Sequence, residues 1–281
     1  MTHPFRSRWL ATAVVALSAL VAGACAESPA LPTAPSAVLS RGAVPQAGSP
    51  VAADPLPGPN ALGATRFMAF GDSITQGITS GFDGALFDAG IAVSYPYQLQ
   101  SLLTTSFPAQ AFAVENRGVG GEEVLRVGSR FAQAMAAVRP QGLLLLEGIN
   151  DLNNGATIPA VVNGLSQFID IARLYNTTVL VGTMFQTCYS EDPRTGQVRP
   201  NSTEKIVPFN AAIRAMAAGR QNVYVVDLYA AFGNNCGGNG NGGVGLLGGD
   251  GLHPSPTGYS VMASTFGTAM RERFAVRGSY Q

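Results

Sequence analysis

The sequence predicts an α/β fold, a three-layer α/β/α sandwich around a central, mostly parallel five-stranded sheet. Two observations predict it: short, continuously apolar runs recur along the chain, and stretches with helical spacing of apolar residues lie between them. Apolar runs without polar alternation are typical of strands that are covered on both faces, and regular alternation with helices favours right-handed crossovers. In such sheets, functional residues collect at the carboxyl ends of the strands.

The elements follow from these patterns in chain order. Each predicted strand is a run of aliphatic, aromatic or β-branched residues, and the five are 66–70, 112–115, 142–147, 178–185 and 222–228. The predicted helices have apolar residues at helical spacing, and they are 97–105, 122–138, 158–175, 202–218 and 256–274. Two long segments, 186–201 and 233–251, interrupt the alternation and are predicted to be loops.

Composition excludes several classes of function. The chain has 281 residues and is 46% apolar, enough to bury a sizeable core, while Lys plus Arg and Asp plus Glu both number 17. Nucleic acid is therefore not expected as a partner. Only two histidines occur, His3 and His253, and the three cysteines form no C-x-x-C pair. We expect no metal site built from several histidines, and any histidine-dependent chemistry must use His253.

The amino-terminal region predicts export from a bacterial cell. Residues 1–25 combine a positive start, an apolar run and small residues before Cys25, which indicates a signal peptide with a lipobox. Lipidation of Cys25 would tether the protein to a membrane, whereas ordinary signal cleavage would release it. Residues 26–63 contain eight of the 18 prolines and are predicted to be a disordered linker. The folded domain is predicted to span 64–277, in a secreted or cell-envelope protein.

The remaining cysteines, Cys188 and Cys236, lie in the two predicted long loops. In an oxidising compartment they form an even pair that suits a disulfide. Two free thiols are the alternative interpretation.

A serine follows the first predicted strand in the sequence Gly71-Asp72-Ser73. A nucleophilic serine needs a base, a carboxylate that orients the base, and donors for the developing oxyanion. His253 lies three residues after Asp250, just before the last predicted helix. On a turn, this spacing lets Asp250 bind one imidazole nitrogen while the other faces Ser73.

Two further blocks follow the next strands along the chain. The sequence 116–121 (NRGVGG) comes after the second predicted strand, and 148–151 (GIND) comes after the third. With the GDS and DGLH segments they form four ordered blocks. The chain therefore resembles the SGNH hydrolases, also called the GDSL esterase and lipase family, from Arg66 to about Phe274. The resemblance implies a flavodoxin-like sheet.

The resemblance also implies a role for each matching residue. Ser73 matches the family's nucleophile, and Asp250 and His253 match the orienting carboxylate and the general base. The oxyanion hole corresponds to the backbone N–H groups of Ser73 and Gly121 and to the side-chain amide of Asn150. Alignment of the second block on its asparagine favours Gly121 over the neighbouring glycine.

Each block also has a purely structural interpretation. Ser73 is a residue type that caps helices, His253 is suited to a turn before the last helix, and Asn150 is suited to a cap. The glycines of the second block are compatible with a tight turn alone. The four blocks together favour the catalytic interpretation.

The sequence thus predicts an extracytoplasmic serine esterase that hydrolyses carboxylic esters through an acyl-enzyme, without cofactor or metal. The family also implies carbohydrate O-deacetylases and lysophospholipases or lipases as alternatives, so the ester belongs to a small molecule, a lipid or a polysaccharide. A non-catalytic surface lipoprotein with the same fold is an alternative from another class.

Overall fold

The computed structural model describes residues 61–81, 85–88, 90, 92–188, 190–191, 198–199, 202–233 and 245–276. The predicted signal peptide, the predicted linker up to residue 60, and both Cys25 and Cys236 lie outside the described residues. The predictions made for these segments remain predictions.

Helices and short strands alternate along most of the described chain. In chain order they are β1 (Arg66–Gly71), α1 (Ser73–Gln76), β2 (Ile78–Ser80), β3 (Leu86–Asp88), α2 (Tyr95–Ser106), β4 (Ala113–Gly118), α3 (Gly128–Val138), β5 (Gly142–Leu146), α4 (Ile149–Asn153), α5 (Ile158–Leu174), β6 (Thr178–Gly182), β7 (Ser190–Glu191), β8 (Val198–Arg199), a 3₁₀ turn (Thr203–Lys205), α6 (Ile206–Ala217), β9 (Val223–Val226), α7 (Leu228–Phe232) and α8 (Pro256–Phe274).

Five strands form one parallel sheet in the order β4-β1-β5-β6-β9. This order is that of flavodoxin-like sheets, in which the winding direction reverses between β1 and β5. Ligands of such sheets bind at the carboxyl ends of the strands beside this reversal. The predicted fold class is confirmed, and the reversal points to the segments that follow β1 and β5.

Helices cover both faces of the sheet. α2, α7 and α8 pack together on one face, and α3, α5 and α6 pack on the other. Nearly every residue of β1, β5 and β6 is buried, because these strands have helices on both sides. Among the described helices, none has the length and apolarity that a membrane span requires.

An aromatic cluster fixes the end of β1. The rings of Phe131 and Phe168 stack with centroids 4.3 Å apart, and Phe70 meets both edge-on, at 4.9 Å and 5.9 Å. Each such aromatic pair contributes about 1 kcal/mol beyond the burial of its area. Because Phe70 is the last residue before Gly71, the cluster holds the strand end that leads to Ser73.

Element boundaries differ from the sequence prediction where side chains cap or redirect the backbone. β9 ends at Val226, before the predicted 228, because Asp227 caps α7 by accepting a hydrogen bond from the Ala230 N–H. α3 begins at Gly128 rather than at 122, because the preceding backbone binds Asp151 of α4 instead of continuing a helix. The short elements α1, α4, α7 and the β2–β3 hairpin were not predicted.

The two ends of the described chain are joined. Leu62 is 2% exposed and forms an antiparallel bridge with Ala275, and the Gly63 N–H donates to the Phe274 carbonyl at 2.6 Å. The side-chain amide of Gln110 binds both the N–H and the carbonyl of Leu62 at 2.8 Å. Contacts of the folded domain therefore include residues that precede position 64.

Candidate active site

Ser73 begins a one-turn helix at the carboxyl end of β1. Asp72 caps this helix, since its Oδ1 accepts a hydrogen bond from the Ile74 N–H at 2.9 Å. The corner between strand and helix requires glycine at position 71, because an added Cβ would lie 2.0 Å from Thr75 Oγ1. Ser73 is thereby held at the sheet edge, with 9% of its surface exposed.

His253 and Asp250 are connected to Ser73 by hydrogen bonds. His253 Nε2 lies 2.8 Å from Ser73 Oγ, and His253 Nδ1 lies 2.5 Å from Asp250 Oδ2. Asp250 Oδ1 also accepts from the backbone N–H groups of Leu252 and His253, which closes the turn that carries both residues. This is the geometry in which a base accepts a serine proton while a carboxylate fixes the other side of its ring.

The short strand β2 brings this turn to the serine. Thr79 Oγ1 donates to the Pro254 carbonyl at 2.8 Å, and Ser80 Oγ donates to Asp250 Oδ1 at 2.8 Å. β2 follows α1 after a single glycine, Gly77, so it carries these contacts directly from the helix of Ser73. Ser80 therefore positions the carboxylate that binds His253.

Asp250 remains ionised although it is largely buried. Burial raises its pKa, but the hydrogen bond and charge of His253 and the hydrogen bond from Ser80 outweigh this, so the pKa of Asp250 lies below its ordinary value. A carboxylate in this state accepts from the imidazole Nδ1–H and stabilises a protonated His253.

Two backbone N–H groups near Ser73 are suited to an oxyanion. As the first residue of α1, Ser73 has an N–H without an acceptor inside the helix. The Gly120 N–H is occupied, because it donates to Gln76 Oε1 at 2.7 Å. Within the part of the chain that the structure describes, the Gly121 N–H has no hydrogen-bond acceptor. Its φ of +77° also favours glycine, and the assignment of Gly121 to an oxyanion hole stays a prediction.

Asn150 lies in the first turn of α4, beside both neighbouring blocks. Its Nδ2 donates to the Glu122 carbonyl at 2.9 Å and lies 3.5 Å from Asp72 Oδ2. No hydrogen bond joins it to Ser73 among the described residues. The amide is thus held next to the helix that Ser73 begins and next to the segment that carries Gly121.

Three buried acids surround this arrangement. Burial raises the pKa of Asp72 to about 6 against the lowering effect of the Ile74 N–H, and burial also raises the pKa of Glu147 well above its ordinary value. The pKa of Asp151 is raised mainly by burial, although this carboxylate accepts from the N–H groups of Val124 and Leu125. Asp151 consequently fixes the backbone that follows Gly121.

Comparison with known proteins decides the family. The profile of the GDSL-like lipase/acylhydrolase family matches residues 69–261. The chain belongs to this family. The matched region includes Ser73, Gly121, Asn150, Asp250 and His253. Comparison with curated protein sequences finds no match.

Solved structures agree in fold with this GDSL-like assignment. The family 3 carbohydrate esterase of Clostridium thermocellum is 22% identical, with a TM-score of 0.54 over 75% of this chain and 99% of that chain. A GDSL-like lipase from Bacteroides thetaiotaomicron is 18% identical, with a TM-score of 0.56 over 75% and 89%. An alpha/beta hydrolase enzyme from the metagenome of Lake Arreo is 20% identical, with a TM-score of 0.58 over 76% and 98%.

Cys188 is attached to the turn of this GDSL-like site. It is disulfide-bonded, and its N–H donates to the Gly251 carbonyl at 2.7 Å. Cys236 lies outside the described residues, so the predicted pairing stays a prediction.

Sequence reasoning missed Ser80 and Gln76. No local spacing signals them, because Ser80 is 170 residues from Asp250 and Gln76 is 44 residues from Gly120.

Among the described residues, no group of three or more His, Cys, Asp or Glu side chains is arranged to hold a metal ion.

Proposed function

We propose that this GDSL-like hydrolase is a serine esterase that cleaves carboxylic esters through an acyl-enzyme. The observation that carries the proposal is the continuous hydrogen-bonded row Ser73–His253–Asp250, with contacts of 2.8 Å and 2.5 Å. A helix cap or a turn histidine alone does not require these contacts. Membership of an esterase and acylhydrolase family supports the same reaction class.

Acylation begins when Ser73 Oγ attacks the ester carbonyl carbon and transfers its proton to His253 Nε2. The carbonyl π electrons move onto oxygen and form an oxyanion. When the tetrahedral intermediate collapses, the bond to the alcohol oxygen breaks, and this oxygen takes the proton from His253 Nε2. The acyl group is then bonded to Ser73.

Deacylation repeats these steps with water. His253 accepts a proton from water, whose oxygen attacks the acyl carbon, and the proton then passes to Ser73 Oγ as the acid leaves. Asp250 accepts from the Nδ1–H throughout and stabilises the charged imidazole.

The proposed oxyanion donors are the N–H groups of Ser73 and Gly121 and the Nδ2 of Asn150. In the free enzyme Asn150 Nδ2 is held by the Glu122 carbonyl, which leaves its second hydrogen on the side of Asp72. Catalytic hydrogen bonds often tighten only when substrate is bound. A small movement of this amide toward the oxyanion would complete the hole.

Asn150→Ala tests the hole. Removal of one such donor typically lowers kcat about a hundredfold to a thousandfold. We expect a loss of this size in ester hydrolysis while the far-ultraviolet circular dichroism spectrum is unchanged. Asn154→Ala is the control, because Asn154 is exposed and its amide donates to Glu123 at 3.1 Å. Equal rates of hydrolysis by Asn150→Ala and by the wild type would show that Asn150 is not an oxyanion donor.

The decisive experiment is hydrolysis of p-nitrophenyl esters from acetate to palmitate by the wild type and by Ser73→Ala. We expect activity in the wild type only, and labelling of one serine, Ser73, by a fluorophosphonate probe. A folded wild type that the probe does not label would instead favour a non-catalytic binding module.

The chain-length profile also defines the substrate class. We propose acetylated polysaccharide as the substrate class to be tested first, a choice that rests on the length of the segments 186–201 and 233–251, which the sequence predicts to be loops. Preference for acyl chains beyond about eight carbons would exclude a deacetylase and favour a lipid hydrolase.

We also propose that the protein acts outside the cytoplasm and that Cys25 carries its lipid anchor. The disulfide at Cys188 supports export, since disulfides persist in oxidising compartments. Mass spectrometry of the mature amino terminus tests the anchor. An unmodified terminus at or after Cys25 would show ordinary secretion.

A further inference from the structure

The backbone that carries Gly121 leaves the sheet at the end of β4 and forms a loop of residues 119–122, the 119–122 loop. Its own backbone provides little support: the Val119 N–H donates to the Gly71 carbonyl at 3.0 Å, and the Glu122 N–H donates to the Val119 carbonyl at 3.3 Å. An oxyanion donor must be held close to its working position, because an error of about 1 Å costs on the order of a hundredfold in rate. Other groups must therefore hold this loop.

Arg130, in the first turn of α3, bridges the two ends of the loop. Its Nη1 donates to the Arg117 carbonyl of β4 at 2.9 Å, and its Nη2 donates to the carboxylate of Glu122. The guanidinium carbon also lies 4.0 Å from the ring centroid of Phe70, three residues before Ser73. One side chain thus contacts the strand before the loop, the last residue of the loop and the strand of the nucleophile.

Glu122 connects this bridge to Asn150, another proposed oxyanion donor. Its backbone carbonyl accepts the Asn150 Nδ2 hydrogen bond at 2.9 Å, while its side chain binds Arg130. The position of Glu122 therefore sets both the end of the loop that carries Gly121 and the acceptor that holds Asn150. The pair is partly shielded, with side-chain exposures of 30% for Arg130 and 12% for Glu122.

The chemistry of arginine suits this arrangement better than that of lysine. A planar guanidinium reaches two acceptors in fixed directions and stacks on an aromatic ring, whereas an ammonium is a single compact charge. The hydrogen bonds to Arg117 and Glu122 use the first property, and the contact with the Phe70 ring uses the second.

We propose that Arg130, acting through Glu122, is a positioning residue for the oxyanion hole. The inference rests on the proposed serine esterase function and assigns these two side chains to the placement of Gly121 and Asn150. It predicts that loss of the bridge weakens transition-state binding and leaves substrate binding in place.

The test compares Arg130→Lys and Glu122→Gln with the wild type and with a control, Arg126→Lys. Arg126 is a matched control because it pairs at 3.3 Å with Glu123, the first residue after the loop, and its side chain is 78% exposed. We expect Arg130→Lys to lower kcat for p-nitrophenyl acetate about tenfold to a hundredfold with KM unchanged within about twofold. Glu122→Gln keeps a neutral hydrogen bond to Arg130, so we expect its kcat to fall by a smaller factor. In the double variant, kcat should fall by less than the product of the two single-variant factors.

A second readout separates positioning from folding. Ser73 Oγ adds to the boron of butylboronic acid while its proton passes to His253 Nε2, and one hydroxyl oxygen of the tetrahedral boronate adduct lies in the oxyanion hole. Its inhibition constant should rise in Arg130→Lys by about the factor by which kcat falls, whereas Arg126→Lys leaves both unchanged. Circular dichroism at the assay temperature shows that each variant is folded.

The outcomes distinguish the inference from the function on which it rests. If folded Arg130→Lys keeps the wild-type kcat and boronate affinity, the inference is overturned and the esterase proposal stands. A fall in melting temperature with unchanged boronate affinity also overturns it, since the role is then structural. If wild-type hydrolysis does not depend on Ser73, both the proposed function and the inference are overturned.

Discussion

At the scale of single residues, two neighbouring carboxylates of the site have opposite electrostatic surroundings. Asp250 accepts hydrogen bonds from Ser80, from two backbone N–H groups and from His253, and its pKa lies below the ordinary value in spite of burial. Asp72 is only 1% exposed, and this burial raises its pKa to about 6 although the hydrogen bond from the Ile74 N–H acts to lower it. The first therefore supports a charged imidazole, and the second makes folding sensitive to pH.

Asp72→Asn tests this sensitivity. A carboxyl whose pKa rises from 3.8 to about 6 on folding favours the protonated folded state. Its contribution is most favourable below pH 3.8 and is lost as the pH rises toward 6. The loss is about 3 kcal/mol, at about 1.4 kcal/mol for each pKa unit. Asparagine also caps helices, so the variant should match the wild type near pH 3.5 and be more stable above pH 7.

Urea unfolding at pH values from 3.5 to 8 measures the effect. Asp170→Asn is the control, because the Asp170 side chain is 57% exposed. If the stability difference between Asp72→Asn and wild type is the same at every pH, the pKa of Asp72 is not raised by folding.

At the scale of elements, the turn 250–253 is built against the backbone of the loop that follows β6. Gly251 has a φ of +68°, and an added Cβ would lie 2.2 Å from the Cys188 carbonyl oxygen. The Cys188 N–H donates to the Gly251 carbonyl, and the Gly251 N–H donates to the Gly248 carbonyl. A side chain at this position must move the turn that carries Asp250 and His253.

Gly251→Ala should therefore reduce both stability and activity. The left-handed backbone alone costs about 1–2 kcal/mol for a residue with a Cβ. The added methyl group would also collide with the Cys188 carbonyl and displace the turn. Because this displacement moves Asp250 and His253, we expect kcat to fall at least about tenfold.

Gly219→Ala separates the two causes. Gly219 has a φ of +74°, and an added Cβ would have nothing within 4 Å. We expect this control to lose stability by a similar backbone strain and to keep the wild-type kcat. Melting temperature and kcat of both variants provide the comparison, and a wild-type kcat in Gly251→Ala would contradict the role given to this turn.

At the scale of the whole molecule, the folded domain is closed where its two ends meet. Leu62 is buried against the end of α8 through its bridge with Ala275, and Gln110 binds both backbone groups of Leu62. The Val276 N–H also donates to the Ala61 carbonyl at 3.1 Å. The whole of β1 lies between Leu62 and Ser73 in the chain, and among the described residues no hydrogen bond of Ala61 or Leu62 is made to a residue of the candidate site.

A chain that begins at 61 should consequently be more stable than one that begins at 64. Loss of Leu62 removes about 2 kcal/mol of side-chain burial. The lost hydrogen bonds add about 1 kcal/mol or more. Urea unfolding of the two proteins measures the difference, and kcat should be the same in both. Equal stabilities would mean that the folded unit does not require residues 61–63.

The sequence predicted the five parallel strands and their order along the chain, but not the short elements. α1, β2 and α4 are five residues or fewer, too short for apolar periodicity to develop. They are formed by capping and tertiary contact, as when Asp72 caps α1 and Ser80 of β2 binds Asp250. The prediction of a helix from 122 was wrong because Asp151 binds the N–H groups of Val124 and Leu125.

The residue types of the candidate site could be read from the sequence alone, and so could the position of Ser73, after a strand, and of His253, before the last helix. His253 is the one histidine outside the predicted signal peptide, and Ser73 follows the first buried strand. The side chains that support the candidate site became evident in the folded structure, where Ser80 binds Asp250, Gln76 binds Gly120 and Arg130 binds Glu122. Ser80, Gln76 and Arg130 act on residues 170, 44 and 8 positions away, respectively. Such contacts arise because sheet order and helix packing bring separate segments to one edge, and no local pattern of residues encodes that proximity.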